Sequence, residues 1–286
     1  MRPTPRRCQP ILAIVALSLG LSAWGAENRA ACEREFAPRS GQAGKDVIWV
    51  PTQEDLVMAM LKAANVTEKD YVVDLGSGDG RIPIAAAKHF GAKATGIEYN
   101  PQMVRLAQCL VRAEGLRGKV QIKEGDIFKT DFSDATVVTM YLLSDLNTKL
   151  RPTILKMKPG TRVVSNSFRM GEWEPDQDIE PENGYTRGYL WIVPAQVSGN
   201  WTLRQQGGEN ELGMRIEQQF QKIDVSLPGQ FGFTVHSGIL RGADIELTLL
   251  DGQKQTVTLK GRVDDDTMRL AGRRGGKAVT YVGRRS

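Results

Sequence analysis

The chain has 286 residues, of which 41% are hydrophobic and 25% are charged, and its net charge is +5. These values are typical of a soluble globular protein, and the length allows one large domain or a medium domain followed by a small one. Three arginines lie before residue 26 and no acid does, so the rest of the chain carries only +2. A charge this small gives no electrostatic case for nucleic acid as the main partner, and we expect none.

Residues 1–25 have the pattern of a secretory signal peptide. A basic start is followed by an apolar stretch at residues 11–24, which is shorter than the ~20 residues that a membrane-spanning helix needs. Small residues, Ala23 and Gly25, precede the expected cleavage point. We therefore predict an exported, periplasmic protein. The alternative is that this segment is retained as a membrane anchor and the rest of the chain stays in the cytoplasm.

The chain has three cysteines, and Cys8 lies within the predicted signal peptide. In an exported chain, Cys32 and Cys109 could form a disulfide. They lie far apart in the sequence, however, and Cys109 falls in an apolar helical pattern. We therefore predict that Cys109 is a core residue without a disulfide.

Residues 26–45 are polar and are predicted to be a loose segment, after which strand and helix patterns alternate to about residue 195. This alternation predicts an α/β domain over residues 46–195, with a doubly wound, mostly parallel sheet. The predicted helices are 53–66, 81–90, 101–116 and 146–160. The predicted strands are 70–76, 93–99, 120–126, 135–143 and 161–168.

The pattern changes after residue 195. Residues 196–286 alternate apolar with polar side chains in short runs, and Gly, Asp or Asn separates the runs. Such a pattern is typical of an antiparallel meander. We predict a C-terminal β domain, either a small barrel or a sandwich.

A glycine-rich loop follows the first predicted strand, in the stretch YVVDLGSGDGR at residues 71–81. Gly76, Gly78 and Gly80 would let a ligand approach the backbone closely, and the next helix would present free N–H groups. Glu98 ends the next strand, where a carboxylate can accept hydrogen bonds from both hydroxyls of a ribose. The loop and the acid together predict an adenosine-containing cofactor.

The spacing of the loop distinguishes between cofactors. The dinucleotide pattern is G-x-G-x-x-G, whereas this loop reads G-x-G-x-G and is preceded by Asp74. A carboxylate there is badly placed against a pyrophosphate but suits the ammonium and sulfonium of S-adenosylmethionine. Asp126 ends the third strand and can accept from the adenine amino group, and Ile127 can pack on the ring. A nicotinamide-dependent oxidoreductase remains one alternative, which the spacing and Asp74 disfavour.

Residues 71–168 resemble the class I, seven-stranded, Rossmann-like S-adenosylmethionine-dependent methyltransferases. The motifs that carry the resemblance are WVPT, VDLGSGDGRI, GIEYNP, the later YLL, and LRP followed by KPGTRVVSNSF. More narrowly, they resemble the lysine methyltransferases of the mitochondrial adenine-nucleotide carrier and the ATP synthase c subunit, with their bacterial relatives. The export signal and the C-terminal β domain depart from the eukaryotic members.

The resemblance implies roles for individual residues. Asp74 and the three glycines would hold the methionine part of the cofactor, Glu98 the ribose and Asp126 the adenine. Thr52 and Trp49, in the WVPT motif, would fold over the methionine end. Tyr141 ends the fourth strand, where acceptor and cofactor meet in this fold, and is the candidate catalytic residue. Ser165 and Asn166 end the fifth strand and are candidates for the acceptor site.

The sequence therefore predicts a methyltransferase that acts on a protein side-chain amine, such as a lysine. Methyl transfer needs alignment and exclusion of water rather than a metal or a nucleophile, and we predict no metal site. The acceptor is a protein or a small molecule, and association with the envelope or a membrane is a further expectation. The second alternative is a binding or sensor protein that retains the fold without catalysis.

Overall fold

The computed structural model describes residues 28–182, 186–208, 211–227, 234–250 and 255–286. The predicted signal peptide, residues 1–25, lies outside them. Within the described ranges, no helix combines the length and the apolar character that crossing a membrane requires.

The first part of the chain forms a seven-stranded sheet in the order β3-β2-β1-β4-β5-β7-β6. The strands from β1 to β5 are parallel, and β7 runs antiparallel to β5 and to β6. The predicted doubly wound α/β sheet is thus confirmed. The strands are β1 (Tyr71–Leu75), β2 (Lys93–Glu98), β3 (Val120–Glu124), β4 (Val137–Met140), β5 (Arg162–Asn166), β6 (Gln177–Ile179) and β7 (Gly188–Ile192).

Five helices accompany this sheet in the described residues: α1 (Arg29–Glu35), α2 (Glu54–Ala63), α3 (Arg81–Phe90), α4 (Pro101–Ala113) and α5 (Ser144–Ile154). The apolar sides of α2, α3 and α4 share one core cluster, and α5 packs into the cluster on the other face. Local chemistry fixes where α4 begins, because Asn100 accepts from the backbone N–H of Gln102 and Pro101 occupies the first helical position.

The prediction for the cysteines was wrong. Cys32, on α1, forms a disulfide with Cys109, on α4, across 77 residues of sequence. Cys109 is buried in the helical core as predicted, but an apolar helical position does not prevent a bond to a helix packed against it. The segment predicted to be loose therefore contains a covalently attached helix.

The second part of the chain is a closed antiparallel barrel of eight strands. It is a meander that closes where β15 pairs with β8. Side chains fill its interior, including Trp201, Leu247 and Met268, so it is a packed core. The strands are β8 (Gly199–Gln205), β9 (Glu211–Gln219), β10 (Lys222–Ser226), β11 (Thr234–Arg241), β12 (Asp244–Leu250), β13 (Thr256–Asp264), β14 (Thr267–Arg274) and β15 (Lys277–Arg285).

The barrel contacts the sheet at the amino end of β5. The turn between β11 and β12 lies against the turn before β5, where a Cβ on Gly242 would stand 3.0 Å from the Cα of Gly160. The backbone N–H of Ala195 donates to the carbonyl of Gly242 at 2.8 Å, and Phe220 stacks on Trp173 with ring centroids 6.0 Å apart. The barrel is therefore placed at the edge opposite the carboxyl ends of β1, β4 and β5.

Candidate active site

A cavity opens at the carboxyl edge of the sheet, where parallel α/β sheets usually bind ligands. One wall is the chain before α2, residues 42–52, which we call the strap. The opposite wall is the loop after β1, and the end of β2 and the residues after β4 complete the cavity. None of the described barrel residues lines it. The lining residues outside the strap are Asp74, Gly76, Ser77, Gly78, Asp79, Arg81, Ile82, Glu98, Tyr99, Asn100, Met103, Ile127, Tyr141, Leu142 and Leu146.

The glycine loop brings backbone N–H groups towards Glu98. The N–H of Gly78 donates to Glu98 Oε2 at 2.8 Å, and the N–H of Asn100 donates to Glu98 Oε1 at 2.9 Å. Gly78 has φ +55°, and a Cβ built on it would meet Trp49 Nε1 at 2.6 Å. The loop therefore requires glycine here for conformation and for space.

Asp74 is the buried carboxyl of the site. Its Oδ1 accepts from Thr139 Oγ1 at 2.6 Å, and the residue is 3% exposed. Burial raises the pKa of Asp74 to about 7, the hydrogen bond from Thr139 opposes this rise, and Glu98 and Asp79 add to it. No lysine or arginine of the described chain forms an ion pair with Asp74.

Arg81 links the glycine loop to the strap. Its Nε and Nη2 donate to the two carboxylate oxygens of Asp79 at 3.0 and 2.7 Å, and its Nη1 donates to the carbonyl of Thr52 at 2.8 Å. On the other side, Asn166 Nδ2 donates to Thr52 Oγ1 at 3.1 Å. Thr52 is therefore fixed from two directions, and Asn166 supports the strap from outside the cavity lining. Arg81 was not predicted, although it directly follows the loop.

Asp126 lies at the edge of the site and is bonded within the protein. Its Oδ2 accepts from Lys45 Nζ at 3.0 Å, and its Oδ1 accepts from the N–H of Phe128 at 2.9 Å. These bonds lower the pKa of Asp126, the one from Phe128 most. Lys45 also lies over the ring of Tyr99. Lys45 has no signal in the sequence, because a lysine in a polar segment is ordinary.

Of the remaining predicted site residues, Gly76 lines the cavity, whereas Gly80 does not, because it packs closely against Ala107 of α4. Ile127, Trp49 and Tyr141 all line the cavity, and Tyr141 stacks on Phe168 with centroids 6.2 Å apart. Ser165 does not line it. Its hydroxyl accepts from Asn147 of α5 at 3.2 Å on the opposite face, because neighbouring residues of a strand point to opposite sides.

The cavity fits a cofactor that carries positive charge next to an adenosine. The unpaired buried carboxyl of Asp74 suits a cation, the carboxylate of Glu98 can accept from hydroxyls, and a Cβ on Gly78 would obstruct the loop. Ser77 Oγ is buried at the same loop without a hydrogen-bond partner among the described residues. These features match S-adenosylmethionine better than a dinucleotide, whose pyrophosphate would face Asp74.

Comparison with known proteins agrees with the geometry. The family model for the ANTKMT methyltransferase domain matches residues 74–177. A protein-lysine N-methyltransferase from Saccharolobus islandicus is 44% identical over 151 residues, which cover 51% of this chain and 94% of that protein. The chain therefore belongs to the same methyltransferase family as this relative. This chain is also 34% identical over 106 residues to the lysine N-methyltransferase of the ATP synthase c subunit from Rattus norvegicus. That match covers 37% of this chain and 49% of that protein.

A solved structure identifies the cofactor. The RNA methyltransferase from Salinibacter ruber in complex with S-adenosyl-L-homocysteine is 44% identical, with a TM-score of 0.50, and covers 52% of this chain and 96% of that one. The methyltransferase uses S-adenosylmethionine, as the loop and Glu98 predict. The names of these relatives specify different acceptors, a protein lysine and RNA. The acceptor therefore has to be inferred from the site.

Proposed function

We propose that the methyltransferase transfers a methyl group to the side-chain amine of a lysine in a protein. The observation that carries this proposal is the character of the cavity mouth. Ile48, Val50 and Tyr99 line the cavity and are 59%, 37% and 53% exposed, and Leu143 beside it is 46% exposed. Exposed apolar side chains grouped in this way are typical of a surface that contacts another protein.

The same mouth is poorly suited to RNA. Nucleic-acid sites need cations that are available to neutralise phosphates. The two cations that line the cavity are already bonded to aspartates, Lys45 to Asp126 and Arg81 to Asp79.

The residues of the site serve alignment and exclusion of water. The bound cofactor supplies a methyl group on a sulfonium, which leaves as a neutral thioether, so no nucleophile or metal is needed from the protein. Asp74 holds positive charge, the strap covers the cavity, and the apolar mouth removes water from the incoming lysine. Loss of hydration lowers the pKa of a lysine, and this makes the neutral, reactive amine accessible.

The acceptor can be tested with labelled methyl groups. We would offer the protein a set of peptides in which a single lysine is flanked by apolar residues, the same peptides with arginine in its place, and a mixed RNA. We expect label in the lysine peptides alone. Label in the RNA, or equal label in the arginine peptides, would contradict the proposal.

Tyr141 is proposed to position the acceptor amine through its hydroxyl. Tyr141→Phe keeps the ring stacked on Phe168 and should lower kcat about 10- to 100-fold, with less than about a twofold change in cofactor affinity. Tyr99→Phe is the matched control, because it removes a hydroxyl from the same cavity at its exposed rim, and kcat should not change. A Tyr141→Phe variant with normal kcat would leave Tyr141 only a packing role.

We also propose that the protein acts outside the cytoplasm. The apolar stretch at residues 11–24 and the Cys32–Cys109 disulfide support export, because disulfides persist in oxidising compartments. A reporter that is active only after export, fused after residue 30, should be active. An inactive reporter would favour the anchored, cytoplasmic alternative.

A further inference from the structure

The strap closes on itself before it crosses the cavity. The N–H of Gly41 donates to the carbonyl of Trp49 at 2.8 Å, and the N–H of Trp49 donates to the carbonyl of Gln42 at 2.9 Å. A tight turn within this loop joins Gly44 to Val47. These hydrogen bonds hold the loop together as one unit, which includes Trp49 and Lys45.

Different contacts hold the two ends of the strap. Thr52 is fixed by Arg81 and Asn166, as described above. At the far side Lys45 pairs with Asp126 and lies over the ring of Tyr99, and its side chain is 35% exposed. Gln42 donates to Met103 Sδ at 3.8 Å, and Val47 packs against the core. An exposed ion pair such as that of Lys45 contributes little stability. Because this ion pair is weak, a restraint on the chain before the loop would hold the loop more firmly over a bound cofactor.

That restraint comes from α1, which ends at Glu35, shortly before the loop begins at Gly41. Helix α1 has seven residues, and Cys32 is the one buried among them. A second link towards α4 is a long contact of 3.9 Å between Arg29 and Glu114. A helix that buries a single side chain has little apolar area to hold it in place. The disulfide to Cys109 is its covalent attachment to α4, and Phe36, the C-cap of α1, packs against the same core.

We propose that the Cys32–Cys109 disulfide positions the strap over the cofactor, so that the oxidation state of this pair sets how long the cofactor stays bound. The bond keeps the strap near the cavity and raises its effective concentration there. Reduction by a dithiol transfers two electrons and two protons to the pair, gives two thiols and leaves the dithiol oxidised. A cleft lined by Glu35, Gln102 and Arg105 reaches both cysteines, so a small dithiol has a route to them.

The dissociation rate of radiolabelled S-adenosylhomocysteine tests this proposal without any acceptor. We expect dithiothreitol to accelerate release about tenfold in the wild-type protein. The Cys32→Ala/Cys109→Ala variant should release the ligand quickly with or without dithiothreitol. Circular dichroism and thermal melting would verify that each sample is folded at the assay temperature. A rate that stays the same on reduction, in a folded protein, would overturn the proposal.

A second variant separates a positioning role from general stabilisation. Lys45→Gln removes the ion pair at the surface and should also accelerate release. If both act through the strap, the rate factors of reduction and of Lys45→Gln do not multiply. Factors that multiply would show that the disulfide acts independently of the strap, and would contradict the proposal. Neither outcome depends on whether the acceptor is a lysine.

Discussion

Asp74→Asn should raise the Kd for S-adenosylmethionine at least about 100-fold, because it removes the buried carboxylate that faces the cofactor's positive charge. The same variant should be more stable than the wild type above pH 7. Burial raises the pKa of Asp74 from 3.8 to about 7, so the folded chain disfavours the charged form. A rise of this size corresponds to about 4 kcal/mol at most. Calorimetric titration and thermal melting at pH 8 measure the two effects.

Asp70, which directly precedes β1, provides a matched control. It is also buried, and although burial alone would raise its pKa, hydrogen bonds from Arg162 and Thr136 lower it. Asp70→Asn should therefore reduce stability and leave the cofactor Kd unchanged, which is the opposite pattern. A loss of affinity in both variants would mean that Asp74 acts through folding alone.

The pH dependence of the wild-type protein follows from the same carboxyl. The neutral form of Asp74 is preferred in the folded chain, so its stabilising contribution is complete below pH 3.8 and is lost as the pH rises to about 7. Cofactor binding needs the charged form, so affinity should increase as the pH rises towards 7 and then level off. In Asp74→Asn this dependence should disappear. A flat profile for the wild type would contradict this assignment.

Gly78→Val should abolish measurable cofactor binding. A Cβ at this position meets Trp49 Nε1 at 2.6 Å, and valine adds two further carbons where the strap and the loop face each other. The φ of +55° also strains any β-branched residue. Titration with S-adenosylhomocysteine would measure the loss, and a melting curve would measure the strain.

Gly115→Val is the control for the backbone. Gly115 has φ +71° but no atom within 4 Å of the position of its Cβ. Both variants should therefore lose a similar amount of folding stability from backbone strain, roughly 1–2 kcal/mol. Only Gly78→Val should lose cofactor binding. Normal cofactor binding by Gly78→Val would show that the cofactor does not lie against the loop at this position.

The sequence predicts this fold and cofactor well because both depend on local patterns. A glycine loop between a buried strand and a helix, and an acid at the end of the next strand, are each visible within a few residues. The eight-stranded barrel likewise follows from alternation that repeats along the chain, although the choice between barrel and sandwich depends on whether β15 meets β8. That pairing places Tyr281 opposite Gln205, and no short window of sequence contains both.

What could not be predicted depends on contacts between distant segments. The disulfide joins α1 to α4 over 77 residues, and Lys45 reaches Asp126 over 81. Nothing near these residues in the sequence indicates the partner. Ser165 is a different case, since the period of two along a strand already puts it and Asn166 on opposite faces. The alternation of side chains along a strand therefore predicts that only one of Ser165 and Asn166 faces the strap.

The position of the barrel keeps it away from the cofactor site. The barrel docks at the amino edge of the sheet and the cofactor cavity lies at the carboxyl edge. The Saccharolobus islandicus relative, 94% of which aligns with 151 residues of this chain, is too short to contain both parts. Substitutions on the barrel away from its contacts at Gly242 and Phe220 therefore lie far from the residues that line the cofactor cavity. A new location or a new binding partner can evolve on one half of the molecule while the other half keeps its reaction.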